Sequence, residues 1–102
     1  MASFELRYSP LFYDDLDRIT NYILLELKNE IAAKTFIDDV EMAIRKRLEN
    51  PLQAAAYPTM RQRKYEYRRI LVGNYLIFYV VIERTMIVRR LLYGRRDLDK
   101  IL

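Results

Sequence analysis

Apolar side chains recur along this chain at two spacings, and the points where the spacing changes delimit the elements. Phe4, Leu6 and Tyr8 alternate with Glu5 and Arg7, the period of two expected of a half-buried strand. Ser9-Pro10 follows, pairing an N-cap hydroxyl with a proline whose missing N–H costs nothing at the first helical position. Phe12, Leu16, Ile19, Ile23 and Leu27 then fall on one face of a helix predicted to end near Leu27 or Lys28. Asp14, Asp15 and Asp17 come early in it and are expected to meet solvent and the positive end of the helix dipole. After the polar break Lys28-Asn29-Glu30, helical spacing resumes through Ala33, Phe36, Ile37, Val40, Ile44 and Leu48 until Asn50-Pro51 stops it.

A less regular stretch from Leu52 to Met60 leads into Arg61-Gln62-Arg63-Lys64, and alternation returns from Tyr65 to Val72. Gly73-Asn74 predicts a hairpin turn, because glycine supplies the positive φ that a two-residue connection wants. Further strands are predicted from Tyr75 to Ile82 and, beyond Glu83-Arg84, from Met86 to Tyr93 before Gly94. The nearly unbroken apolar run of Tyr75 to Ile82 predicts a central strand covered on both faces, or on one face by the helices and on the other by aromatic and partner contacts. Residues 1–102 are therefore expected to form a single α+β domain of order β-α-α-β-β-β, a helical hairpin packed on one face of a small antiparallel sheet.

Composition narrows the chemistry. Cysteine and histidine are both absent, which excludes disulfides, thiolate metal sites, a cysteine nucleophile and the commonest general base. No metal or cofactor is expected, and any catalysis must use carboxylates, tyrosines, lysines or arginines. The longest uncharged apolar runs fall far short of the roughly 20 residues that cross a bilayer, and the N-terminus lacks the pattern of a signal peptide. The expected location is the cytoplasm, with no membrane partner.

The net charge of +4 conceals a division. Residues 1–50 hold seven Lys/Arg against ten Asp/Glu, a net of −3, whereas residues 51–102 hold eleven against four, a net of +7. Such a localised positive field attracts polyanions, either nucleic acid or an acidic protein segment, although the same excess would also serve solubility alone. Arg61, Arg63, Lys64, Arg68 and Arg69 place five cations in nine residues with Tyr65 and Tyr67 between them, denser than solubility requires. They are candidates for contact with a target or RNA, as is Arg89. Arg89 and Arg90 alternate along a strand, so one of them is expected on the binding surface and the other in a salt bridge, to a helix carboxylate or at the sheet edge.

Several ordered segments carry a family resemblance: Asp15-Leu16-x-x-Ile19-x-x-Tyr22-Ile23, Ala33 to Leu48 closed by Asn50-Pro51, Arg69-x-Leu71-Val72, Asn74-Tyr75-Leu76-Ile77-Phe78-Tyr79, and Leu92-Tyr93-Gly94-Arg95-Arg96-Asp97. From Ser9 to Asp97 the chain resembles the RelE/ParE superfamily of bacterial type II toxins. That resemblance implies a growth-inhibiting cytoplasmic toxin neutralised by a cognate antitoxin, with operator DNA reached only through the antitoxin. It also implies one of two targets: the ribosome with messenger RNA, cut by a metal-independent endoribonuclease, or DNA gyrase, blocked without nuclease chemistry.

The two branches differ in residues. Cleavage by a 2′-hydroxyl needs a base, an acid and cations aimed at the charge developing on phosphorus. In histidine-free nuclease members these are basic residues before the hairpin, an arginine after the first tyrosine of the next strand, an arginine after the last strand's glycine, and a tail tyrosine. Matched without gaps, this chain keeps Arg69 and Arg96 as candidate catalytic residues of a nuclease. It places Leu76 where the strand arginine is expected, Tyr67 at a lysine position, and ends at Leu102 where the tyrosine would fall. Together with Asn74-Tyr75-x-x-x-Tyr79, these departures resemble the ParE branch. A relocated site of Arg68, Arg69, Arg89, Arg90 and Arg96 with Tyr67 or Tyr93 remains the alternative.

Overall fold

Helix α1 begins where the spacing predicts because Ser9 holds an extended conformation and Pro10 occupies the first helical position. In the computed structural model, described over residues 3–53, 56 and 65–94, the order is β1 (Glu5–Tyr8), α1 (Pro10–Asn21), α2 (Glu30–Leu48), β2 (Arg68–Val72), β3 (Tyr75–Ile82) and β4 (Thr85–Tyr93). The Ser9 hydroxyl does not cap the helix; it donates to the Arg89 carbonyl at 2.7 Å. Past Asn21 the helix widens into a single π-helical turn, Tyr22–Glu26, in which the Leu27 N–H reaches the Tyr22 carbonyl at 3.3 Å. Lys28 turns the chain at φ 51°, and the Asn29 side chain starts α2 by accepting from the Ala32 N–H at 2.9 Å.

Strands β2, β3 and β4 form an antiparallel meander, with Gly73 at φ +57° making the first turn. The sheet order is β1-β4-β3-β2, and β1 joins β4 in parallel. The expected wholly antiparallel sheet is thus corrected to a mixed one. Side-chain alternation is the same in either orientation, so β1's direction follows from the long crossover through the helices rather than from its own pattern.

The main core lies between helices and sheet: Phe12 and Ile19 of α1, Val40 and Ile44 of α2, and Ile70, Ile77, Tyr79, Met86, Val88 and Leu91 of the sheet. Each such side chain contributes on the order of 1.5–3 kcal/mol by leaving water. Leu76, Phe78 and Leu92 form a smaller cluster on the opposite face with Tyr67 packed against it, so the side of β3 away from the helices is covered by apolar and aromatic groups of the sheet itself. The fully buried Tyr79 donates its hydroxyl to the Pro51 carbonyl at 2.6 Å and accepts from Arg47 at 3.3 Å. Because Arg47 also donates to the Arg69 carbonyl, the end of α2 is tied to both β2 and β3.

Candidate functional site

Cross-strand register sorts the candidate arginines onto faces. Arg69 pairs with Phe78 of the outer-face cluster and so shares that face, whereas Arg90, which pairs with Phe78 on its other side, reaches past the open sheet edge to helix α1. Arg68 pairs with Tyr79, whose side chain belongs to the helix-side core, so the adjacent arginines Arg68 and Arg69 lie on opposite faces. Arg69 is exposed, whereas the Arg68 side chain is 19% exposed and stands 4.0 Å from Glu66. Arg61, Arg63, Lys64 and Arg96 lie outside the described residues.

A β-bulge changes the expectation for Arg89 and Arg90. Phe78 pairs with Arg90 and Tyr79 with Val88, which leaves the half-buried Arg89 as the extra residue. Val88 and Leu91 both enter the helix-side core, so the alternation that would put Arg89 and Arg90 on opposite faces is broken between them. Arg90 takes the salt bridge expected of one member of the pair, to a carboxylate of helix α1.

That carboxylate is Asp15, and its surroundings overturn the expectation that it faces solvent and the helix dipole. It is 1% exposed, while no acidic residue occupies the first turn of α1. Strand β1 ends at Tyr8, so β4 beyond Val88 has no neighbouring strand on that edge. The Asp15 carboxylate stands in for one: Oδ2 accepts from the Leu91 N–H at 2.9 Å, beside the Ser9–Arg89 bond. The Arg90 guanidinium donates to both carboxylate oxygens, at 2.8 and 3.1 Å, and Arg18 adds a third cationic contact at 3.0 Å. Burial pushes the Asp15 carboxyl upward, but the bonds from Arg90, Leu91 and Arg18 outweigh it and hold the carboxyl below its ordinary range. The bond to Asp15 raises the Arg90 guanidinium against the opposing effect of burial. One signal was available in the sequence: Asp15 lies three residues after Phe12 and four before Ile19, on the apolar face of its own helix.

The outer face of the sheet carries an apolar cluster beside the exposed Arg69. Leu76 is 8% exposed and packs with Phe78 and Leu92, and Tyr67 meets Phe78 edge-on at 6.2 Å between ring centroids. Among the described residues, no group of three or more acidic side chains is placed to hold a metal ion. No helix among them is long and apolar enough to cross a membrane.

A four-stranded mixed sheet with two helices on one face is the fold shared with toxins of toxin–antitoxin pairs. The family described as the ParE toxin of the type II toxin-antitoxin system, parDE, matches residues 6–98, and the chain belongs to it. The fold is similar to a chain of the chromosomal ParDE system from P. aeruginosa, with TM-score 0.71 and 16% identity over 89% of this chain and 96% of that one. It is similar also to a chain of the E. coli DinJ-YafQ complex, with TM-score 0.58 and 11% identity over 89% and 92%. A chain of the RelBE2 complex from Mycobacterium tuberculosis gives TM-score 0.56 and 17% identity over 90% and 99%. No curated protein matches the sequence.

Proposed function

We propose that this type II toxin acts in the ParE manner, arresting growth in the cytoplasm by occupying a surface of DNA gyrase, and that a cognate antitoxin holds it inactive. The observation that carries this reading is Leu76, buried against Phe78 and Leu92 at the position where nuclease members direct an arginine at phosphate. A single electrostatic donor of that kind contributes on the order of 3 kcal/mol to a transition state, so its replacement by an apolar cluster weighs against RNA cleavage. The positive second half of the chain supports an acidic or amphipathic antitoxin segment as the complementary partner. Operator DNA is then reached only through the antitoxin.

The test is induction of the free chain, followed within minutes by a gyrase cleavage assay and by mapping transcript 5′ ends on ribosomes. Trapped gyrase with intact transcripts is the expected result. New ends inside codons, seen only when ribosomes are present, would replace this reading with the endoribonuclease. The exposed Arg69 on the outer face, together with Arg96, is the argument that keeps that second reading in the experiment.

A further inference from the structure

At the end of the sheet where α1 passes β4 there is a pocket of about 330 Å³. Ile19, Leu91 and Leu92 give it apolar walls, and Tyr22, Tyr75 and Tyr93 surround them. The Tyr75 and Tyr93 rings meet edge-on at 5.6 Å. None of these three tyrosines has a hydroxyl hydrogen bond among the described residues. Arg18 completes the lining.

The charge of that wall follows from the Asp15 cluster. One carboxylate faces two guanidiniums, and Arg90 already neutralises it through two hydrogen bonds. Arg18 touches Asp15 through a single nitrogen at 3.0 Å and keeps a side chain 55% exposed, so it has donors left over beside an apolar cavity. A guanidinium offers five N–H donors, and the remaining ones suit a second carboxylate.

We propose that this pocket anchors a protein partner through a carboxylate next to a bulky apolar side chain. The apolar group fills the space between Ile19, Leu91 and the tyrosines, and the carboxylate takes the remaining donors of Arg18. A nucleotide fits less well: Arg18 would suit its phosphate, but a base edge would lose its water hydrogen bonds against Ile19, Leu91 and Leu92, which offer none in return. The inference rests on the reading that a protein partner holds this chain, and it names the chemistry of one contact in that complex.

N-acetyl-leucine, which joins a carboxylate to an isobutyl group, is a probe of the pocket, with N-acetyl-leucinamide as its neutral counterpart and adenosine monophosphate as the nucleotide. Titrations followed by amide NMR shifts should show the acid saturating in the millimolar range, with the largest shifts at Leu91, Leu92 and Tyr93. The acid should bind about tenfold tighter than the amide, the effect expected of one charge-assisted contact. Arg18→Gln should abolish that difference without unfolding the chain, since Arg90 retains Asp15, and Tyr22→Ala should weaken acid and amide alike. Equal binding of acid and amide, shifts located elsewhere, no saturation, or tighter binding of the nucleotide would each overturn the proposal. None of these outcomes depends on gyrase, so failure here and failure of the toxin mechanism are read separately.

Discussion

Asp15 shows how a residue's neighbours decide its role. An aspartate in the second turn of an amphipathic helix ordinarily faces water; this one lies on the buried side, where only its four hydrogen bonds make a buried charge tolerable. Asp15→Asn keeps the shape but leaves Arg90 without its counter-charge, and is expected to destabilise the fold by about 3–5 kcal/mol in urea unfolding. Replacing Asp15 and Arg90 together by apolar residues should cost far less than the sum of the single changes. Because its carboxyl is held below the ordinary value, Asp15 adds stability that is full above the unfolded carboxyl's pKa, near 4, and drains away as pH falls through the folded value. Circular dichroism melts between pH 6 and about 2.5 should show that loss in the parent and a shallower one in Asp15→Asn. Tyr79→Phe, which orphans the Pro51 carbonyl from its 2.6 Å partner, should cost about 1–2 kcal/mol with the fold intact.

At the scale of elements, what lay within a few residues could be read in advance. The helices follow the 3.6-residue spacing, β3 its unbroken apolar run, and the first hairpin its Gly73-Asn74. Gly73 stands at φ +57° with nothing within 4 Å of where a Cβ would be, so Gly73→Ala brings backbone strain without a clash. The expected cost is about 1 kcal/mol, read as a lowered melting temperature with unchanged structure. The bulge at Arg89 and the π-helical turn at Tyr22–Glu26 left no such trace. Each inserts a residue into the local register without a change of residue type or spacing that would mark it.

For the whole molecule, the uneven charge matters more than the net +4. With −3 in the first half and +7 in the second, association with an acidic antitoxin segment should be electrostatically steered. Raising ionic strength from about 0.05 to 0.5 M should slow association by roughly tenfold and change dissociation much less, as stopped-flow binding would measure. The order and type of the elements, the family resemblance and the absence of cysteine and histidine chemistry were properties of the sequence alone, since each depends on local spacing or composition. Tertiary structure decided the parallel direction of β1, the bulge at Arg89, and the meeting of Asp15 with Arg90. Those outcomes rest on contacts between distant parts of the chain, 75 residues apart for Asp15 and Arg90. Periodicity records which face of an element is buried, and it carries no information about what that face will meet.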